Sequence, residues 1–501
     1  MMNDREKVYL IFPAVDKGDR NLPKGLLYVG YALKKNGFQV EILQFSPEDM
    51  ETNIRKIIIS KPLFVGFSVF TGSQPRAAAE ISKEIKRRSH VPIVWGGVHT
   101  SLLPEQCLNE KYIDIVVTGE GEETATELAD FLVRKESIEN IKGIGFKEDD
   151  RAIFNPPRGF IKNLDTFKMD FTLIDVEKYI KKAPPAKRAI HFITSRGCPH
   201  RCSFCYNYAF NKSKWRAHSA EFCIKEITKL KEEFDIDGII FHDDNFFVNR
   251  KRVLQIVKAI DMNWWGEIRL DYINTDIMNE FKKTKCRCLL LGWESGNNRI
   301  LKLFNKGFDT EKIIEKTKLI AKFPDIIIQG QAIIGVPTET KEEINNTVKL
   351  ALKLSKIHPS MRFGIGQYLP FPGTPLYELT KKLGWDPPKR TEGWDELDSR
   401  YKLHTFPWLP WANKKLRKKM MFISRYSFFL TRSQIKTKGD LWKGLVGHIF
   451  YYFVYVRLKF GVFFFPFEIY LFDSYLMIKM KLRTKYVKKK ISCKQNANIE
   501  Q

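Results

Sequence analysis

Two successive series of strand and helix alternation constrain this chain more than any other feature. From Lys7 to about Lys135, short runs rich in β-branched and aromatic residues are separated by stretches of helical period. The runs are VYLIF (8–12), FQVEIL (38–43), LFVGFSVF (63–70), VPIVWGG (91–97) and IDIVVTG (113–119); the helical stretches include Gly25–Lys35, Pro75–Arg88 and Glu122–Arg134. The strands are nearly continuous in apolar residues, as strands covered on both faces must be. Five such units predict a doubly wound parallel α/β sheet of the flavodoxin type over residues 1–135.

A second series begins at Ala189 with AIHFIT (189–194), GIIFH (238–242), EIRLDYI (267–273), CLLLGW (288–293), IIIQGQAIIG (326–335) and FGIGQYLP (363–370). Six units over residues 186–395 suit an open, partial barrel, whose reactive groups belong at the C-terminal ends of its strands. Between the two series, residues 136–185 lose the pattern around Pro156-Pro157 and Pro184-Pro185 and read as a linker. Residues 396–501 read as a mainly helical region. A chain of 501 residues exceeds what one core organises, so several domains are the expectation.

Just after the first strand of the second series lies Ser195-Arg-Gly-Cys198-Pro-His-Arg-Cys202-Ser-Phe-Cys205-Tyr-Asn. Three of the eight cysteines fall on this one loop, which points to metal chemistry in a reducing compartment and not to a disulfide scaffold. Thiolates select zinc or iron–sulfur clusters over hard cations. Structural zinc takes four protein ligands, and no second cysteine pair at zinc-finger spacing follows, so a zinc knot would need His191 or His200. Three thiolates on a 4Fe-4S cluster leave one iron open to a small molecule. Met1 to Val8 mix acids and bases and lack the basic-then-apolar order of a secretion signal, which predicts a cytoplasmic protein.

The loop resembles the defining motif of radical S-adenosylmethionine enzymes, with Phe204 as the aromatic residue before the third cysteine. The strand-end sequences His242-Asp-Asp-Asn-Phe246, Gly292-Trp-Glu-Ser-Gly296, Gly335-Val-Pro337 and Leu369-Pro-Phe-Pro-Gly-Thr-Pro375 look like that family's later signatures. The resemblance implies a 4Fe-4S cluster on Cys198, Cys202 and Cys205, and S-adenosylmethionine beside Phe204, Asp243, Asp244, Glu294, Ser295, Gly335 and Pro337. Glu294 is placed where a carboxylate can accept from ribose hydroxyls, and its flanking glycines would let a ligand approach the backbone. Asp244 serves equally as a helix N-cap. Arg269 and Asp271, on one face of the third strand, pair with each other or reach the cofactor. No residue is assigned a catalytic role.

The front segments Asn21-Leu-Pro-Lys-Gly-Leu26, Gly66-Phe-Ser68 through Thr71-Gly72, Gly96-Gly-Val-His99 and Gly119-Glu-Gly-Glu122 resemble the cobalamin-binding module that precedes many such domains. The resemblance implies cobalamin contacts from Pro23, Gly25, Leu26, Ser68, Thr71, Gly96, Gly97, His99, Gly119, Glu120 and Gly121. None of the nine histidines follows an Asp by two residues, so no DxHxxG signature supplies an axial ligand. His99 is either a ligand or a turn histidine satisfied by backbone. The alternative for the front domain is a degenerate sheet that binds nothing and shields the barrel.

Lys and Arg exceed Asp and Glu by 26. Residues 401–501 combine basic clusters with aromatic runs such as Phe463–Phe467, and their longest uncharged run, Gly444–Val456, falls short of the about 20 residues a spanning helix needs. This region reads as a helical cap over the barrel or as an interfacial membrane contact; nucleic-acid binding is disfavoured for lack of a recognition motif. The family resemblance implies a small-molecule substrate, a one-electron reductant such as flavodoxin or ferredoxin, and methylation of an unactivated carbon of a substrate that the aromatic tail suggests is apolar. Radical cyclisation or rearrangement is the first alternative. A tRNA methylthiotransferase would need three further front-domain cysteines where only Cys107 is present, and a non-catalytic cobalamin or iron–sulfur sensor would leave the Glu294 and Pro337 signatures unused.

Overall fold

The structure is a computed structural model and describes residues 5–16, 21–149, 151–397, 408–430 and 452–460. The front sheet contains β1 (Arg5–Pro13), β2 (Phe38–Phe45), β3 (Phe64–Ser68), β4 (Ile93–Gly96), β5 (Ile115–Val117), β6 (Ile144–Glu148) and β7 (Arg151–Phe154). They lie in the order β2-β1-β3-β4-β5-β6-β7, the first five parallel and the last two antiparallel. The parallel part has the flavodoxin order, and its loops after β1, β3, β4 and β5 emerge on one edge, as a crevice-forming sheet requires. Val8, Tyr9, Leu10 and Ile11 are all buried because helices cover both faces.

The expected linker is largely structured, which corrects its reading from sequence. Residues 144–154 add the β6–β7 hairpin to the front sheet, and Ile161, Leu164, Phe167, Met169, Phe171, Val176 and Tyr179 are buried against the core. The hairpin escaped the periodicity because β7 is one-sided, its residues exposed or half-buried.

The second sheet holds β8 (Lys181–Ala183), β9 (Ala186–Phe192), β12 (Gly238–Phe241), β13 (Asn263–Ile268), β14 (Cys286–Glu294), β15 (Ile327–Ile334) and β16 (Arg362–Gln367) in sequential order. β10 (Ser195–Arg196) and β11 (Arg216–Ala217) pair separately as a short ribbon. The six strands β9 and β12–β16 run parallel, as a partial barrel should, with β8 antiparallel at one edge. The third barrel strand lies earlier than expected: Trp264 fills the core behind it, and Arg269 to Tyr272 form a turn beyond its end.

The part of the C-terminal region described at 408–430 covers the β16 edge. Trp408 Nε1 donates to the Tyr368 carbonyl at 2.8 Å, the Ile365 amide donates to Ser427 Oγ at 2.9 Å, and Met420, Phe422, Ile423 and Tyr426 are buried. It therefore seals the sheet edge, which would otherwise present unpaired backbone groups. The runs Phe463–Phe467 and Lys481–Lys490 lie outside the described residues. Among the described residues no helix is long and apolar enough to cross a membrane.

Candidate functional site

The cysteine loop leaves the C-terminal end of β9 and is held by side chains from the ends of the next two strands. Asp243, after β12, accepts from the Thr194 amide and hydroxyl at 2.9 and 2.8 Å and from Ser195 Oγ at 2.6 Å. Asp244 accepts from the Gly197 amide at 2.9 Å and from the Tyr206 hydroxyl. Neither acid caps a helix; Asn249 performs that role for the helix Arg250–Ala259. Burial pushes the Asp243 carboxyl up to about 6 despite its three donors.

Each cysteine sulfur accepts one side-chain N–H. Asn245 Nδ2 points at Cys198 at 3.4 Å, Arg269 Nη1 at Cys202 at 3.6 Å and Asn207 Nδ2 at Cys205 at 3.8 Å. Such donors favour thiolate over thiol, the form that binds metal, and set the electron density on the sulfur. Burial works the other way, raising Cys198 and pushing Cys205 up to about 12. Arg269 also pairs with Asp271 at 3.0 Å, the internal ion pair that the sequence left open. Among the described residues no three His, Cys, Asp or Glu side chains converge to hold a single metal ion. The fit of the loop to a metal cluster rests on three soft donors with N–H groups aimed at them. Of the two histidines that a zinc knot would recruit, His200 is engaged through Nε2, which pairs with the Tyr272 hydroxyl at 2.9 Å, and the His191 ring stands edge-on to His242.

The two sheets meet at a cavity of about 860 Å³. The front side supplies Gly25, Leu26, Ser68, Thr71, Gly96, Gly97, Gly119, Glu120 and Gly121; the barrel side supplies Ser195, Arg196, Tyr206, His242, Asp243, Asp244 and Glu267. At Gly119, where φ is 80°, an added Cβ would meet no atom within 4 Å, so the backbone is bare toward the cavity. A flat ligand can lie directly on it, which is the fit a corrin ring requires. Pro23 and His99 do not line this space. His99 is wholly buried, with Nδ1 3.3 Å from Thr71 Oγ1 and its ring against Trp394, and burial lowers its pKa to about 3. This corrects its placement among the ligand contacts.

Glu120 lines the cavity, but its carboxylate faces protein. It accepts from Arg196 Nη1 at 2.7 Å, from Arg216 Nη1 at 2.8 Å and from the Ile161 amide at 2.7 Å. Burial alone would raise it; the two arginines hold it below its usual range. Lys24 and Glu267, neither of them an expected contact, also line the cavity. Burial brings Lys24 down to about 8, and burial with nearby Asp244 lifts Glu267 to about 7.

Glu294, at the end of β14, takes a left-handed φ of 64° and accepts from Lys306 Nζ at 3.0 Å, both side chains nearly buried. Its flanking glycines serve packing, contrary to expectation: an added Cβ at Gly292 would meet the Glu294 carboxylate and at Gly296 the Asn346 backbone. Ser295 is buried against Thr347, and the Gly335 amide donates to Glu339. Phe204 stacks edge-on with Phe304 at 4.9 Å. Ser295, Gly335, Pro337, Glu294 and Phe204 lie outside the cavity lining.

Residues 18–129 match the model of the B12 binding domain and residues 192–351 that of the radical SAM superfamily. An uncharacterised methyltransferase of Pyrococcus horikoshii is 32% identical over 389 residues, 74% of this chain and 82% of that one. The chain belongs to the cobalamin-dependent radical S-adenosylmethionine family. It is therefore a radical S-adenosylmethionine enzyme whose front domain is a B12 binding domain. An anaerobic magnesium-protoporphyrin IX monomethyl ester cyclase of Synechocystis is 29% identical over 311 residues, 60% of this chain and 62% of that one. Among solved structures, the radical S-adenosylmethionine methyltransferase TsrM of Kitasatospora setae, with cobalamin and a [4Fe-4S] cluster bound, shares the fold at a TM-score of 0.65. It is 17% identical and covers 90% of this chain and 98% of that one.

Proposed function

We propose that this enzyme methylates an unactivated carbon of a small, largely apolar molecule. The observation that carries the reading is the single cavity reaching from the bare backbone at Gly119 to Tyr206 and Asp244 beside the cysteine loop. Two reactive groups can face one substrate only if such a space joins them. Cys198, Cys202 and Cys205 would hold the 4Fe-4S cluster, and Phe204, Asp243, Asp244, Glu294, Ser295, Gly335 and Pro337 would surround S-adenosylmethionine directly or through the strand ends they shape. Gly25, Leu26, Ser68, Thr71, Gly96, Gly97, Gly119, Glu120 and Gly121 would cradle cobalamin. When bound, these groups supply a radical that abstracts hydrogen and a donor of methyl.

The chain's own contribution is placement. Asp243 and Asp244 fix the loop that carries the sulfurs, and Asn245, Arg269 and Asn207 direct N–H groups at them. The electron would come from a flavodoxin- or ferredoxin-like donor. Radical cyclisation is the second reading, the Synechocystis relative being named a cyclase. The helix at 452–460 exposes Tyr452, Phe453 and Phe460 while burying Val454 and Leu458, which supports a peripheral contact with anionic lipid at the cytoplasmic face.

Anaerobic protein reconstituted with iron, sulfide and hydroxocobalamin tests the main reading when incubated with methyl-labelled S-adenosylmethionine, reductant and host extract. Mass spectrometry should find the label as a new methyl group on an extract component. Consumption of S-adenosylmethionine with a product lighter by hydrogen and carrying no label would favour cyclisation and overturn methyl transfer.

A further inference from the structure

The seam between the two domains carries a charge network of which only Glu120 belongs to the proposed cobalamin cradle. Arg196 lies two residues before Cys198 and is half-buried at the domain boundary. Its Nη1 donates to Glu120 at 2.7 Å and its Nη2 to Glu122 at 2.5 Å, so one guanidinium spans both acids of the front domain's Gly119–Glu122 turn. Its plane also lies 4.5 Å from the centroid of the Tyr28 ring, on the front helix Lys24–Lys35. Tyr28 in turn places its hydroxyl 3.0 Å from His218 Nε2, whose Nδ1 pairs with Asp165. A two-pronged contact of this kind fixes orientation as well as distance, which a lysine could not do.

The same short turn has two faces. Its bare Gly119 backbone borders the cavity, and its Glu120 and Glu122 carboxylates grip Arg196. On the far side of Arg196 the chain has little slack. Gly197 has a φ of 82°, its amide is held by Asp244, and any Cβ there would lie 2.0 Å from the Lys214 carbonyl oxygen. Arg196 itself is pinned to Arg216 by the β10–β11 pairing, and Arg216 returns to Glu120. A shift of the turn therefore cannot be absorbed before Cys198.

We propose that Arg196 is a positioning residue that couples ligand occupancy of the front-domain cavity to the geometry of the cysteine loop. Cobalamin settling on the Gly119 turn orders Glu120 and Glu122, these order Arg196, and Arg196 orders the segment from Ser195 to Cys198. The reductive chemistry at the loop is then held in register only when the cobalamin side is filled, which restrains radical formation without a methyl donor in place. This inference rests on the cobalamin reading of the cavity.

Hydrogen–deuterium exchange of the cluster-loaded full chain, with and without saturating hydroxocobalamin, tests it. In the wild type, exchange should slow at 118–122 and also at 195–206, the latter by about fivefold or more, the usual lower range of coupling between two sites. In Glu122→Gln and in Arg196→Lys the front-domain protection should persist while protection at 195–206 falls away. Iron content and circular dichroism of each variant establish that fold and cluster are retained. Hydroxocobalamin that binds and protects 118–122 but leaves 195–206 of the wild type unchanged overturns the coupling and leaves the cobalamin reading standing. Protection at 195–206 that survives undiminished in folded variants also overturns it. Failure of hydroxocobalamin to bind overturns both.

Discussion

Replacing Gly197 by alanine perturbs the cysteine loop where it is tightest. Its φ of 82° lies in the left-handed region, and an added Cβ would sit 2.0 Å from the Lys214 carbonyl oxygen. The left-handed conformation costs a residue bearing a Cβ about 1–2 kcal/mol. Overpacking against a backbone atom that cannot swing aside adds about 1–3 kcal/mol. The sum, about 2–5 kcal/mol, is smaller than the about 5–15 kcal/mol that holds a domain folded. The chain should fold and relieve the strain locally by separating β10 from β11, which displaces Cys198. Anaerobic reconstitution followed by iron analysis and thermal unfolding reads this out: iron content well below wild type and a lower melting temperature. Gly72→Ala is the matched control, since that position has a φ of 128° with no atom within 4 Å of an added Cβ. It should retain full iron. Wild-type iron content and melting temperature in Gly197→Ala would refute the reasoning.

Lys306→Met should destabilise the protein by about 3–5 kcal/mol, because it strands the Glu294 carboxylate in a nearly buried site. Adding Glu294→Gln should recover much of that loss, and denaturant titration of the two variants checks both. Asp243, whose folded-state carboxyl lies near 6 against an ordinary 3.8, holds its proton more tightly folded than unfolded. Its ionisation therefore weakens the fold as pH rises through about 4 to 6, by about 3 kcal/mol in all. Unfolding curves of wild type and Asp243→Asn across that window should converge at its acid end and diverge toward neutrality, with the variant losing less stability.

The alternation of apolar strands and amphipathic helices is a local property, and it revealed both sheets and the order of the front one. The β6–β7 hairpin stayed hidden because a half-exposed edge strand has no continuous apolar run. The third barrel strand was displaced because it begins at Asn263 with Trp264 and Trp265 and ends at Ile268, before most of the expected run. The cysteine loop was legible because its ligands are sequence neighbours. Of the side chains that hold it, Asp243, Asp244 and Arg269 stood out at strand ends, but Arg196 did not: it meets Glu120 across 76 residues, and nothing local in either segment marks the pair. Gly292 and Gly296 show the converse error, since a glycine that admits a ligand and one that admits a neighbouring chain segment look alike in sequence. His99 failed for a similar reason, its strand-end position being compatible with a ligand and with burial against Trp394.

The central claim is that reductive cleavage of S-adenosylmethionine occurs at the Cys198–Cys205 loop. Its most direct measurement is 5′-deoxyadenosine formed under dithionite by the anaerobically reconstituted full chain, beside Cys198→Ser, Cys202→Ser and Cys205→Ser. Formation by the wild type and loss in each serine variant is expected. Equal formation in any variant, or a wild-type protein that carries zinc and forms none, would contradict it.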